Sequence, residues 1–113
     1  MLRHDRPWFA LGSPGGPVII SAVLQVILDV VDHGMDLQTA VDAPRVHHQW
    51  LPDSLRVEPG GLDPEVIAAL RARGHAVTAA ASALGDVHAV MVDSTGMRIG
   101  ASDRRLGGAA RGE

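Results

Sequence analysis

The feature that most limits how this chain can fold is an apolar run over residues 17–33, interrupted only by single polar residues. These exceptions are Ser21, Gln25, Asp29 and Asp32. They recur at the period of an α-helix that has one narrow polar stripe. The run is too short and too acidic to cross a bilayer, which takes about 20 apolar residues. We therefore predict a core helix whose polar stripe faces water or polar neighbours and whose remaining surface is buried.

A dense group of turn-forming residues, 12–17, leads from a predicted strand over 8–11 into this helix. A chain that turns through Gly15 and Gly16 into a helix N-terminus directs several free backbone N–H groups at one spot. The helix dipole adds partial positive charge there, so the corner suits an oxyanion. A glycine-rich turn is also common as a purely structural feature. Its spacing fits neither a Walker A nor a Rossmann fingerprint, and the chain contains no lysine.

The rest of the sequence predicts short helices and strands in mixed order. Asp36 is placed to cap one helix, and Asp63 with Pro64 begins another that ends at Gly74. The expected segments are a helix over 37–42, a hairpin-like pair over 45–50 and 54–58, a helix whose buried face is Val66, Ile67 and Leu70, a strand over 75–78, and a hairpin over 87–92 and 97–101. No repeat or linker divides the chain, so the pattern predicts a single α+β domain over residues 1–113.

Composition narrows the classes of partner. The net charge of −3 offers no basic field for nucleic acid, and the absence of cysteine excludes disulfides and thiolate chemistry. Residues 1–9 lack the apolar core of a secretory signal, so we expect no signal peptide, while the compartment stays open. His47 and His48 would point to opposite faces of an extended segment, which argues against a shared metal ion. We expect no nucleic acid, membrane or metal partner.

Two sets of charged residues allow a functional or a structural interpretation. Arg45 lies near Asp53 and Glu58 in sequence, and such pairs beside turns are more often hydrogen-bonding anchors than functional clusters. Asp103 follows a predicted strand and either caps a turn or approaches an active site. We assign no catalytic role to these residues.

Seven strings, taken in order, resemble the γ-glutamyltransferase family over residues 7–112. They are Gly-Ser-Pro-Gly-Gly at 12–16, Gly-Met-Asp-Leu-Gln at 34–38, Ala-Pro-Arg at 43–45, His-His-Gln-Trp-Leu-Pro-Asp at 47–53, Arg-Val-Glu at 56–58, Gly-Asp-Val-His-Ala-Val at 85–90 and Gly-Ala-Ser-Asp at 100–103. The string that begins at His47 is highly specific.

The resemblance implies the C-terminal portion of a small subunit with a partial αββα N-terminal-nucleophile hydrolase sandwich, in which helices pack on a mostly antiparallel sheet. It also implies self-cleavage of a precursor and transfer or hydrolysis of γ-glutamyl groups from glutathione and related amides. Gly15 and Gly16 would then bind substrate by supplying oxyanion-hole N–H groups. No cofactor and no metal are implied.

The family's threonine nucleophile, its paired serines and its acidic substrate-binding residue would all lie upstream of residue 1. Thr39, Thr78 and Thr95 do not match the threonine motif, Arg104 stands where the family usually has proline, and Glu113 where an aromatic residue is common. The isolated chain is therefore expected to be inactive.

Three interpretations remain open from the sequence. The chain is part of an active enzyme whose missing residues come from a separate polypeptide or from a longer gene product of which this is a piece, or it is an inactive remnant that binds γ-glutamyl or carboxylate ligands, alone or as a homo-oligomer. In the third, it is an interaction protein that completes a partner's sheet through exposed strand edges.

Overall fold

Short strands and helices alternate along the chain, as the mixed sequence patterns predict. The computed structural model describes residues 1–112. Within them lie three helices and eight strands: β1 (Leu2–Arg3), β2 (Arg6–Pro7), β3 (Phe9–Gly12), α1 (Val18–Val31), α2 (Leu37–Asp42), β4 (Val46–His47), β5 (Leu55–Val57), α3 (Pro64–Ala72), β6 (Val77–Ala79), β7 (His88–Val92) and β8 (Arg98–Ser102). The α+β fold class is confirmed. Glu113 lies outside the described residues.

The strands form a small N-terminal hairpin and two three-stranded sheets. The first sheet has the order β3-β7-β8 and is antiparallel throughout. The turn between β7 and β8 is held by Asp93, whose Oδ1 accepts from the N–H groups of Thr95 and Met97 at 2.8 and 2.9 Å. The second sheet has the order β4-β5-β6, with β4 antiparallel and β6 parallel to β5. Both predicted hairpins are therefore present.

The hydrophobic core lies between the first sheet and the two helices α1 and α2. Alternate strand residues face this core, and they meet small and branched side chains from the helices. The buried residues are Phe9, Ala22, Val26, Leu37, Ala40, Val41, Val87, Ala89 and Ala101. On the opposite face of the sheet, Ala10 and Val90 are register partners and both are exposed. The sheet thus carries helices on one face only.

The burial predicted for α1 is wrong, although the helix itself is present. Only Ala22 and Val26 are buried in it. Four large apolar side chains one turn apart are exposed by 75, 51, 38 and 44%: Ile20, Leu24, Leu28 and Val31. The reason is that the polar stripe of α1 packs against β4, where the side-chain amide of Gln25 bonds to both backbone groups of Val46 at 2.8 and 2.9 Å.

The two shorter helices differ in how well the sequence anticipates them. Asp36 caps α2 as predicted, because its Oδ1 accepts from the N–H of Thr39 at 3.0 Å. In α3, by contrast, no residue is buried. The predicted buried face fails because α3 packs mainly on the short strand β6, leaving Val66 exposed and Ile67 and Leu70 half-buried.

Candidate functional site

The glycine-rich segment forms the predicted tight turn between β3 and α1. The hydroxyl of Ser13 donates to the carbonyl of Pro14 at 2.7 Å and accepts from the N–H of Asp86 at 2.9 Å. Gly15 and Gly16 have φ values of +132° and +58°, a region that favours glycine over residues with a Cβ. The turn is therefore fixed to the chain that precedes β7 and depends on both glycines.

The backbone of Gly15 and Gly16 uses its acceptors but not its donors. Their carbonyls accept from the N–H groups of Val18 and Ile19 at 3.2 Å each, which begins α1. Their own N–H groups make no hydrogen bond within residues 1–112. Both glycines are exposed. The positive end of a 14-residue helix thus carries two free donors, which is the arrangement that the sequence predicts for binding an oxyanion.

A cleft of about 320 Å³ opens beside this turn. One wall is the turn and first residue of α1, and the other is the loop from β4 to β5 together with β5. Its lining residues are Gly15, Pro17, Val18, Gln49, Pro52, Ser54 and Arg56. The cleft therefore adjoins the free donors of the turn.

The adjacent histidines hold the loop wall and contact different partners. His47 is buried and bridges α1 to the loop, through the Ser21 hydroxyl at Nδ1 and the Gln49 amide oxygen, 2.8 Å from Nε2. His48 instead lies 3.0 Å from the carboxylate of Asp53. In the described part of the chain, no three His, Asp or Glu side chains are grouped as metal ligands.

Behind the turn lies a buried ionic cluster of two arginines and two carboxylates: Arg45, Glu58, Asp103 and Arg105. Arg45 and Asp103 pair at 2.8 Å and are 1% and 0% exposed. Arg105 bridges the two carboxylates, at 2.7 Å from Glu58 and 2.9 Å from Asp103. The carboxylate of Glu58 accepts from the backbone N–H of Arg45 at 2.9 Å. Arg45 and Glu58 are thus in contact through the backbone N–H of Arg45, whereas Asp53 lies outside this cluster, against His48.

The electrostatics of this cluster favour a structural role. Burial by itself would raise the pKa of Glu58, but hydrogen bonds from Arg105 and from the N–H groups of Leu84 and Arg45 outweigh it and lower that pKa. The pKa of Asp103 is also lowered, because donors on Val87, Arg105 and Arg45 outweigh its burial. Both carboxylates stay ionised near neutral pH and do not serve as proton donors there.

The cluster supports the turn through the segment over 84–86. Arg45 donates to the carbonyl of Leu84 at 3.1 Å, and Glu58 accepts from its N–H at 2.8 Å. The next residue, Gly85, has φ of +87°, and a Cβ there would lie 2.8 Å from both Ala22 Cβ and Ser13 Oγ. The turn therefore rests on a glycine and an ionic cluster distant in sequence.

Pattern reasoning missed Arg105, Gly85 and the role of Ser13, since each acts through contacts made in the folded chain. Arg105 stands two residues after Asp103, which is the only local hint. Gly85 lies in one of the strings that carry the family resemblance, but a lone glycine does not reveal close packing.

Ser102, His88 and Asp86 form a hydrogen-bonded row outside the cleft. The His88 ring lies 3.0 Å from the Ser102 hydroxyl and 3.2 Å from the Asp86 carboxylate. Ser102 is buried, and a Cβ on Gly108 would lie 2.3 Å from its hydroxyl oxygen. The chain after β8 covers this serine, so the row carries no accessible nucleophile.

This combination of helices on one face of an antiparallel sheet is shared with solved enzymes. A γ-glutamyltranspeptidase from Pseudomonas nitroreducens, complexed with L-DON, matches at a TM-score of 0.90 and 32% identity, over 100% of this chain and 59% of that chain. The fold is that of the N-terminal-nucleophile hydrolases, in partial form.

The particular family follows from the sequence comparison. The profile described as Gamma-glutamyltranspeptidase matches residues 1–112, and the chain belongs to that family. It is 43% identical over 105 residues to the glutathione hydrolase proenzyme of Escherichia coli K12, covering 93% of this chain and 18% of that protein. It is 35% identical to the proenzyme of Bacillus subtilis 168, covering 99% of this chain and 19% of that protein. The chain thus spans about a fifth of the length of these relatives.

Proposed function

We propose that this chain supplies the oxyanion-binding side of a site that transfers or hydrolyses γ-glutamyl groups from glutathione and related amides. The observation that carries the proposal is the pair of free N–H groups on Gly15 and Gly16 at the N-terminus of α1. Family membership supplies the reaction class. No cofactor is needed for this chemistry.

The nucleophile in this proposal is a threonine on polypeptide outside these 113 residues, with its own α-amine as base. The threonine hydroxyl attacks the γ-carbonyl carbon and the amine half leaves with a proton, after which water or an acceptor amine takes the γ-glutamyl group. Gly15 and Gly16 donate to the oxygen that becomes negative in each tetrahedral intermediate. Thr39, Thr78 and Thr95 do not line the cleft, and their hydroxyls bond to Asp36, Ser54 and Asp93.

Two exposed apolar surfaces support a complementing polypeptide. One is the bare sheet face at Ala10 and Val90, and the other is the exposed stripe on α1 that begins at Ile20. They lie on opposite sides of the layer formed by the first sheet and α1, so a single partner would enclose this layer. Contiguous apolar surface of this kind marks interaction sites. In this proposal, residues 1–113 are one domain, the C-terminal portion of a small subunit.

The test is turnover of a chromogenic γ-glutamyl anilide by the chain alone and by the chain mixed with the missing part of a related enzyme. We expect activity only in the mixture. Gly16→Ala should lower kcat there by about a hundredfold or more, because the strained backbone would shift the N–H away from the oxyanion, and losing an oxyanion donor or its geometry costs about 2–4 kcal/mol.

Gly34→Ala is the matched control. Gly34 has φ of +67°, close to the +58° of Gly16, and a Cβ at either position meets nothing within 4 Å. Both variants therefore carry similar backbone strain, but Gly34 lies beyond the opposite end of α1. Equal kcat losses in the two variants would contradict the assignment of Gly16 as an oxyanion donor.

The second candidate is an inactive remnant that binds small γ-glutamyl or carboxylate ligands. It is favoured by the exposure of both glycine N–H donors in the chain alone. A folded chain that stays inactive in the mixture but binds γ-glutamyl ligands at this turn would support it.

A further inference from the structure

Arg56 stands apart from the other arginines of the described chain. It lies on β5 and lines the cleft beside Gly15. Its side chain is half-buried, yet it makes no hydrogen bond or ion pair with any residue in 1–112. Arg45 and Arg105, the other two that are not exposed, each bind a carboxylate and a backbone carbonyl.

The polar groups around Arg56 are already engaged with one another. The Gln49 side chain bonds to His47 and to the carbonyl of Leu51. The Ser54 hydroxyl bonds to that of Thr78 at 3.0 Å. Neither contact involves the guanidinium, so it is the one uncompensated charge on the described walls of the cleft.

Nearby carboxylates in the sequence do not fill this role. Asp53 is 88% exposed and lies against His48. Glu58 points into the buried ionic cluster, where it accepts from Leu84 and Arg105. A planar guanidinium with five donors prefers a carboxylate that it can bind through two parallel hydrogen bonds.

We propose that Arg56 binds the carboxylate of the amino acid or short peptide on the amine side of the scissile bond, as leaving group or acceptor. The inference rests on the proposed function. If Gly15 and Gly16 hold the carbonyl oxygen, the cleft that Gly15 shares with Arg56 receives the group beyond that carbonyl. At about 320 Å³ the cleft has room for a residue of this size. Arg56 is thus a specificity-determining residue for acceptors that carry a free carboxylate.

The first test needs only the 113-residue chain. A ¹⁵N-labelled sample is titrated with glycylglycine and, separately, with glycylglycine amide, and the Arg56 Nε–H and the Gly15 and Gly16 N–H signals are followed by NMR. We expect saturable shifts with the free carboxylate and none with the amide. Arg56→Gln should abolish them, Arg56→Lys should weaken them, and Arg73→Gln, at the exposed arginine that follows the last residue of α3, should preserve them. Equal shifts with both peptides, or shifts that survive Arg56→Gln, would overturn the subsite.

The second test uses the complemented mixture. Arg56→Gln should raise KM for glycylglycine as acceptor by about ten- to a hundredfold, the usual loss for a hydrogen bond to a charged group. KM for glycylglycine amide and hydrolysis of the anilide, which lacks this carboxylate, should not change. If the mixture is active and Arg56→Gln raises both KM values alike, or only weakens assembly, the subsite is wrong while the proposed function stands. If the mixture is inactive, the proposed function fails and the NMR titration alone decides the subsite.

Discussion

At residue scale, Gly85 shows how little space separates the turn from α1. In Gly85→Ala the new Cβ meets Ala22 and Ser13 at 2.8 Å and the backbone keeps a φ of +87°. We expect a loss of about 2–4 kcal/mol in unfolding free energy, the sum of backbone strain and overpacking. Gly96→Ala has a similar φ of +89° and open space around its Cβ, so it should show the strain alone. Urea unfolding of both variants measures the difference in unfolding free energy. Equal losses would mean that Ala22 and Ser13 move aside to accommodate the new Cβ.

The buried ionic cluster makes a second residue-scale prediction. Asp103→Asn leaves Arg45 buried without its counter-charge and should cost about 3–5 kcal/mol of unfolding free energy. Asp53→Asn removes an 88% exposed carboxylate and should change it by less than about 0.5 kcal/mol. Chemical denaturation compares the two, and a small effect in Asp103→Asn would show that water reaches Arg45.

The same carboxylates set an acid limit on stability. Their folded-state pKa values lie below the ordinary values of 4.5 for Glu58 and 3.8 for Asp103. Their contribution is thus fully present above about pH 4.5 and is lost as the pH falls through the lower, folded-state values. Unfolding free energy measured from pH 7 to 2 should fall in that range. Glu58→Gln should have a lower unfolding free energy at pH 7, and that free energy should depend less on pH below pH 4.5. An unchanged pH dependence in this variant would show that Glu58 is not the source of the acid loss.

At the scale of elements, α1 separates what the sequence predicts from what it does not. The period of its apolar residues and the turn-forming residues that flank it predict each end of the helix to within two residues, because these signals are local. Its burial depends on what surrounds it, and the polar stripe at Ser21 and Gln25 turned out to be the side that packs on β4. The same holds for α3, whose regular apolar face packs mainly on the short strand β6 and therefore stays partly exposed.

The exposed stripe of α1 gives a prediction at this scale. Replacing Ile20 and Leu24 by Gln should change the unfolding free energy of the chain alone by less than about 1 kcal/mol, since both side chains are exposed. Val26→Ala, on the buried side of the same helix, should cost about 2 kcal/mol. In the mixture, only the double Gln variant should weaken assembly while leaving the chain stable. Sedimentation or titration calorimetry measures the affinity of the chain for the complementing polypeptide. An unchanged affinity would show that the stripe is not part of the interface.

For the whole molecule, the bare sheet face should matter only in the complete enzyme. Val90 is 44% exposed, so Val90→Lys should fold as well as the unmodified chain but place a charge where a second sheet would stack. Met97→Lys, at a 61% exposed position before β8, is the control. We expect the activity of the mixture to fall with Val90→Lys and to persist with Met97→Lys. Full activity of both variants would show that the partner does not cover the sheet face at Val90.

The fold class and the glycine-rich turn before α1 could be predicted from the sequence, because periodic apolar residues and glycine clusters report local structure. The supports of the turn were not, since Arg45, Asp103 and Gly85 meet only after sheets and helices have closed. Arg56 is a similar case: its importance lies in partners that it lacks, which no linear pattern displays.

The buried cluster also has a consequence for synthesis on the ribosome. Glu58 is translated 47 residues before Arg105, and Arg45 emerges well before Asp103. Until the later pair appears, a nascent chain that collapsed early would bury Arg45 without Asp103. Native packing of α2, β4 and β5 is therefore disfavoured until Asp103 and Arg105 have been synthesised, and we expect it to form only once the residues after β8 have left the exit tunnel.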